Sequence, residues 1–218
     1  MNTNSQKASR VVSNSAGLLA LLDDNGRLRE PVQLVEGCWL GGLHALTSLD
    51  GLTFAEGCRL TGLSSVTNLH DVTLAAGCEL HGLHALTSLD GLTLGEGCRL
   101  SGLSSVTTLD GVTMGNGCTL LGLSSLTSLE GLTMAERCWF SGLSALPVLQ
   151  DLTLAAGCEL WGLYSVRAIK RVTMGEGCAL HGLSSVADIE DLVMGEGCKL
   201  RDLSEPMQDR LTAIRTAS

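Results

Sequence analysis

Hydrophobic residues recur along this chain with a period of twenty, and one representative stretch shows the pattern. The apolar positions in that stretch are Leu60, Leu63, Val66, Leu69, Val72, Leu74, Cys78 and Leu80. The steps of three residues favour a 3₁₀ or extended path. The triplet Val72-Thr73-Leu74 alternates apolar and polar residues, which is typical of a short β-strand with Thr73 facing outward. The pattern predicts one such strand in each coil, stacked in parallel, with no room for a long α-helix.

Cysteine and glycine follow the same period. The nine cysteines all stand at one phase, at Cys38, Cys58, Cys78, Cys98, Cys118, Cys138, Cys158, Cys178 and Cys198. Glycine precedes eight of them, with Arg137 as the exception, and a second set of glycines shares the phase of Gly62. We expect Gly62, Gly77 and their equivalents to lie in turns that need a positive φ or a close backbone approach. Repetition over 31–203 therefore predicts a repeat solenoid of nine 20-residue coils.

The repeat resembles that of the leucine-rich repeat proteins, whose pattern is L-x-x-L-x-L-x-x-N/C-x-L. Leu49, Leu52 and Phe54 match its first three positions. The longer row Leu126, Leu129, Leu132, Met134, Cys138, Phe140 and Leu143 is similar to the triplet-rich repeats of internalins, shortened by about one triplet. The resemblance implies a curved parallel β-solenoid. Each cysteine stands one residue later than in the family pattern, and a generic parallel β-helix is the alternative fold.

Both ends of the chain differ from the repeat and are predicted to cap it. Residues 1–30 form a polar segment, expected to be mobile over 1–14, and then a helix that starts with Ser15 as its cap and ends near 24–26. Residues 204–218 form a helix capped by Ser204, with Met207, Leu211 and Ile214 on one face. Neither end resembles a secretory signal and no stretch is long enough to span a membrane, so the expected location is the cytoplasm.

Composition and charge disfavour several classes of function and of partner. Fourteen Lys and Arg against 23 Asp and Glu give a net charge of −9, which disfavours nucleic acids and anionic membranes as partners. The cysteines form one inward column without a C-x-x-C pair, so we expect buried, reduced thiols and no metal. The five histidines are repeated surface positions, and the chain has no phosphate loop or nucleophile elbow. The sequence predicts a protein that is not an enzyme and holds no cofactor.

Two irregularities mark candidate partner-binding residues. Coils five to seven carry large apolar residues at phases that are small or polar elsewhere, namely Leu121, Trp139, Trp161 and Tyr164. Either they form an exposed binding patch, or each ring packs over its neighbours. A basic group interrupts an otherwise acidic stripe and consists of Arg167, Lys170 and Arg171. Either it is a basic landmark beside the aromatic residues, or it relieves repulsion within the stripe.

A column of outward threonines completes the candidate surface. It includes Thr93, Thr113, Thr133, Thr153 and Thr173. A small, smooth column suits a flat or elongated protein partner better than a small molecule, which needs a concave pocket. We therefore predict a protein–protein interaction module, monomeric rather than oligomeric. The alternatives are a structural or self-assembling solenoid and, less favoured, ice binding through the threonines.

Overall fold

The computed structural model of the chain describes residues 9–69 and 72–216, with side chains in the C-terminal helix described through 209 and at Leu211. The predictions for 1–8 and for the side chain of Ile214 lie outside the described residues. So do His70 and Asp71, which precede a predicted strand and belong by phase to the acidic stripe. The elements in chain order are β1 (Arg10–Val12), α1 (Ser15–Leu19), β2 (Val32–Leu34), β3 (Trp39–Leu40), β4 (Leu52–Thr53), β5 (Arg59–Thr61), β6 (Thr73–Leu74), β7 (Glu79–His81), β8 (Thr93–Leu94), β9 (Arg99–Ser101), β10 (Thr113–Met114), β11 (Thr119–Leu121), β12 (Thr133–Met134), β13 (Trp139–Ser141), β14 (Val148–Leu154), β15 (Glu159–Trp161), β16 (Ala168–Met174), β17 (Ala179–His181), β18 (Asp188–Met194), β19 (Lys199–Leu200) and α2 (Glu205–Thr216).

The chain folds into a parallel β-solenoid of about nine turns, as its repeat predicts. One wall is a nine-stranded parallel sheet made of the odd-numbered strands from β3 to β19, which we call the continuous sheet. Its strands follow the cysteines and were not predicted, because the sequence interpretation placed a single strand in each coil. The segment Cys78-Glu79-Leu80 alternates inward and outward residues just as Val72-Thr73-Leu74 does. Each central coil therefore has two strands.

The second wall contains the predicted strands and is divided into three blocks. These blocks, together the interrupted sheet, have the strand orders β1-β2-β4, β6-β8-β10 and β12-β14-β16-β18. The predicted orientation is confirmed: Leu52, Val72 and Leu92 are buried, Val112 is partly buried against the core, and the threonine column faces outward. The two walls enclose one core filled mainly by leucine, together with the rings of Phe54 and Phe140, of which Phe140 is completely buried.

The cysteines tie neighbouring coils together inside this core. Each thiol from Cys58 onward donates a hydrogen bond to the carbonyl 23 residues earlier, as Cys158 does to Ala135 at 2.9 Å. Cys38 instead donates to the sulfur of Cys58 at 3.3 Å. All nine are free thiols, and only Cys198 is partly accessible. Burial raises the pKa of Cys158 and of Cys58 to about 12.

We expect the native protein to react slowly with a thiol reagent, because access and thiolate character both control cysteine reactivity. The neighbouring Cys98 thiol lowers the pKa of Cys78, yet Cys78 is completely buried, so its inaccessibility protects it. Stopped-flow absorbance with a colorimetric disulfide reagent should show at most one fast thiol, Cys198, and all nine after denaturation in guanidinium. Several fast thiols in the folded protein would contradict the buried column.

The predicted turn glycines adopt left-handed conformations. Gly62 has φ of 80° and Gly77 has φ of 68°, a region that residues with a Cβ enter only at a cost. Arg137, which replaces glycine before Cys138, nevertheless has φ of 57°. A side chain is therefore tolerated at this turn, where a Cβ on the equivalent Gly97 would meet nothing within 4 Å.

The ends differ in detail from the prediction. Helix α1 is shorter than expected, and its cap is Asn14, whose side chain accepts a hydrogen bond from the Gly17 amide at 2.8 Å. The Ser15 hydroxyl instead accepts from the Gly41 amide of the first coil at 2.9 Å. Residues 10–12, expected to be mobile, form β1, which pairs with β2 and covers an open strand edge. At the other end, α2 begins after Ser204 and buries Met207.

Within the described parts of the chain, no helix combines the length and the apolar character that crossing a bilayer requires.

Candidate binding surface

Three of the large apolar residues lie together on the outer face of the continuous sheet. Leu121, Trp139 and Trp161 belong to β11, β13 and β15, which are adjacent strands. Trp139 and Trp161 are 41% and 40% exposed, and Leu121 is half-buried. Leu121 and Trp161 are in register with Ser141 from either side, and Trp139 lies diagonally from both on the strand between them. Diagonal neighbours on one face of a sheet are within reach of aromatic side chains, so the three residues form one patch, which we call the aromatic face.

Trp161 is held by its neighbours on this face. Its ring stacks on His181, with centroids 3.6 Å apart and planes within 7°, and its Nε1–H donates to a carboxylate oxygen of Glu159 at 2.8 Å. The Nε2 of His181 is buried and has no hydrogen-bond partner, and it lies 4.0 Å from the same carboxylate. Desolvation lowers the pKa of His181, and Glu159 only partly offsets this effect. For Trp161, therefore, the interpretation as a packing ring holds in part.

Trp139 is different because, among the described residues, no hydrogen bond or ring contact holds its indole. Thr119, its direct cross-strand neighbour, is only 6% exposed. This burial indicates that the long side chains of Arg99 and Trp139 on the flanking strands cover it. The exposed part of the Trp139 ring is thus an apolar surface held at its base by the sheet.

Tyr164 lies at the margin of the aromatic face, after the turn at Gly162, and is 62% exposed. Its ring lies above the next coil, where a Cβ added to Gly182 would be 3.0 Å from two ring carbons. The tyrosine extends the apolar surface around the edge of the continuous sheet.

The basic residues belong to a different wall, on the interrupted sheet. The Nζ of Lys170 lies 3.3 Å from a carboxylate oxygen of Glu190. The guanidinium of Arg171 makes two hydrogen bonds to Asp151 at 2.6 and 2.7 Å, which hold the pKa of that carboxyl below its usual value. Arg167 is exposed. These pairs favour the charge-relief interpretation for Lys170 and Arg171, and the structure does not bring the basic group together with the aromatic face.

The threonines also face outward on the interrupted sheet. Thr93 is in register with Thr113, and Thr153 with Thr133 and Thr173. No pairing joins Thr113 to Thr133, because β10 and β12 belong to separate blocks. The column is therefore divided at this point.

The structure adds a polar chain on the continuous sheet that sequence reasoning missed. The Arg59 guanidinium lies 2.8 Å and His81 Nε2 3.0 Å from one oxygen of Glu79. The Nδ1 of His81 lies 2.8 Å from the Ser101 hydroxyl. The pKa of Glu79 is lowered by the hydrogen bond to His81 and then by Arg59. The sequence signal for this polar chain is the alternation of outward and inward residues after each cysteine, because it places Arg59, Glu79, His81 and Ser101 on one outer face.

No family model, curated protein or solved structure matches this chain. In the described residues, no three His, Cys, Asp or Glu side chains converge as a metal site would require. The candidate surfaces are consequently interpreted from their own chemistry.

Proposed function

We propose that this protein is a non-enzymatic module that binds a protein partner through the aromatic face. The observation that carries the proposal is the placement of Trp139 and Trp161, each about two-fifths exposed, on adjacent strands of an uninterrupted sheet. Tryptophan dominates binding hot spots because it buries a large apolar area at little entropic cost. Leu121 extends the patch, and Tyr164 continues it around the edge.

The shape of the surface supports a macromolecular partner. Nine strands spaced by about 4.8 Å give a wall roughly 38 Å long, and the aromatic face lies within it. A wall of this size offers the area that a specific protein interface needs, about 800 Å² on each partner. The polar chain of Arg59, Glu79 and His81 supplies hydrogen-bonding groups farther along the same wall, which suits the polar rim of such an interface.

We also infer kinship with the leucine-rich repeat proteins. Leu49, Leu52 and Phe54, which match the L-x-x-L-x-L positions, are all buried, and Leu52 lies in a parallel strand. Each coil also has a second strand, which follows the cysteine and is absent from the leucine-rich pattern given above. The kinship supports a binding role only as an expectation, since one fold serves many functions.

The Trp139→Ser variant should lose its partner. Intact wild-type protein, immobilised and exposed to an extract of its source, should retain a protein that the variant retains at least tenfold less, because a central aromatic anchor contributes about 2 kcal/mol or more. Mass spectrometry of the eluates, followed by titration of the purified candidate, measures the difference.

Trp39→Ser is the matched control, because Trp39 has the same phase in the first coil and is 73% exposed. Its variant should bind like wild type. Equal retention by all three proteins, each folded by circular dichroism, would contradict the proposed binding site.

A further inference from the structure

The interrupted sheet opens between β10 and β12, although the continuous sheet behind it stays paired. On either side of this opening the backbone ladder is regular: the Gly115 amide donates to Leu94 at 2.8 Å, and the Ala155 amide to Met134 at 3.0 Å. In the described structure, no backbone hydrogen bond joins 112–115 to 132–135. The result is a cleft of about 700 Å³ between residues 107–114 and 127–135, within the size range of ligand sites, roughly 300–1,000 Å³.

A second measurement places the separation at the same interface. The hydrogen bond from the Cys138 thiol to the Gly115 carbonyl has a sulfur–oxygen distance of 3.5 Å. The flanking bonds, from Cys118 to Gly95 and from Cys158 to Ala135, are 3.2 and 2.9 Å. This bond is the longest of the thiol series, whereas the nearby Gly117 amide still donates to the Glu136 carbonyl at 2.8 Å, so the separation is confined to the cleft.

Ala135 is the residue that differs at the opening from the preceding coil, which has Gly115 at this phase. Its phase is occupied by glycine at Gly95, Gly115, Gly175 and Gly195, and each of those four amides donates to the preceding coil. A Cβ on Gly115 would lie 2.6 Å from the Glu96 nitrogen, a backbone atom that cannot give way cheaply. A methyl group at 135 therefore favours separation of the two coils, although alanine at this phase is also compatible with the ladder bond. Ala155 has the same phase in the next coil, and its amide does donate to the Met134 carbonyl, at 3.0 Å.

The cleft presents the groups that an added β-strand uses. The carbonyls of Val112 and Met114 and the amides of Thr133 and Ala135 hold the ladder positions that are paired in the adjacent coils. Val112 is partly exposed, whereas its equivalent Leu92 is completely buried. Two parallel strand edges and an apolar floor are the features by which sheets capture extended peptides.

The charge on the rim selects the occupant. Asp110 and Glu130 are exposed on opposite lips of the cleft, and no ion pair within the described chain joins either carboxylate to a Lys or Arg side chain. Thr113 and Thr133 place hydroxyl groups between them. We infer that this cleft binds an extended basic peptide segment of a partner protein, which inserts as a strand between β10 and β12 with apolar side chains inward and Lys or Arg beside Asp110 and Glu130. This site is separate from the aromatic face.

A labelled octapeptide of alternating lysine and valine tests the proposal in fluorescence-anisotropy titrations with the full chain. It should bind saturably with one site. The same peptide with every second backbone nitrogen methylated, which cannot donate to a strand edge, should bind at least tenfold more weakly, and a glutamate–valine peptide should not bind. Absent binding of the lysine–valine peptide, or equal binding of its methylated form, would overturn the inference.

Two variants link that binding to the cleft. Ala135→Gly should let the ladder close and weaken the peptide at least tenfold, whereas Ala155→Gly, at a position already paired, should bind like wild type. Trp139→Ser should also leave peptide binding unchanged, so failure of the aromatic face and failure of the cleft give different results. Unchanged binding by Ala135→Gly would refute the site.

Amide hydrogen exchange gives an independent readout. In the free protein the amides of Thr133 and Ala135 should exchange faster than those of Thr153 and Ala155, and saturating lysine–valine peptide should protect them. Protection of Thr133 and Ala135 in the free protein would show a closed ladder and overturn the proposal.

Discussion

Replacing Phe140 by alanine is expected to lower the free energy of unfolding by about 3–5 kcal/mol. Phe140 is the largest completely buried side chain and stands in a column of leucines, in register with Leu120 and Leu160. Truncation removes its apolar contacts and leaves a cavity, because the flanking coils are fixed by two sheets and cannot collapse into it. Urea unfolding followed by circular dichroism measures the change.

Phe140→Leu is the matched control, since the other coils have leucine at this phase. Leucine is only moderately smaller than phenylalanine, and small changes of volume in a packed core cost less than about 1.5 kcal/mol, so this variant should stay much closer to wild type than Phe140→Ala. Equal losses of stability in the two variants would contradict the view that the Phe140 ring stabilises the protein by filling the core.

The second large effect is expected at a turn glycine. Gly102 has φ of 84°, and a Cβ added there would lie 2.9 Å from the Leu83 nitrogen and 3.2 Å from the Gly82 carbonyl carbon. Gly102→Ala adds a backbone clash to the cost of the left-handed conformation, which alone is about 1–2 kcal/mol. We expect a total loss of roughly 2–4 kcal/mol in chemical unfolding, within the upper range for single substitutions.

Gly97 in the same coil provides the comparison. Its φ is 70°, and a Cβ there would meet nothing within 4 Å, so Gly97→Ala should cost only the conformational part, about 1–2 kcal/mol. The difference between the two variants isolates the close approach of neighbouring coils. Equal losses would mean that the coils near Gly102 can separate without cost.

The function of the turn glycines could be foreseen from their spacing, but the reason for each glycine could not. Gly97 and Gly102 recur with the same period, and both have a positive φ. Only Gly102 lies against the backbone of the preceding coil. Spacing along the chain shows where turns recur, whereas the distance between coils depends on how the stacked coils pack.

The candidate site shows the same division. The aromatic irregularity at Trp139 and Trp161 is visible in the sequence, and the strands after the cysteines place the two residues diagonally on adjacent strands of one face. The sequence suggested that Lys170 and Arg171 lie beside these rings, and the structure separates them. Lys170 comes nine residues after Trp161, yet β16 belongs to the other wall and pairs its basic residues with acids of the adjacent coils.

The sequence by itself determined the solenoid, because a strict 20-residue repeat of apolar positions can bury its side chains only by stacking coil on coil. It also determined the inward thiols and the outward threonines, which follow from alternation within single strands. Tertiary structure alone decided which outward residues share a wall and where the interrupted sheet opens. The opening lies between β10 and β12, at the coil where Ala135 stands in place of the glycine of the preceding coil, and the spacing between two coils has no signature within either coil.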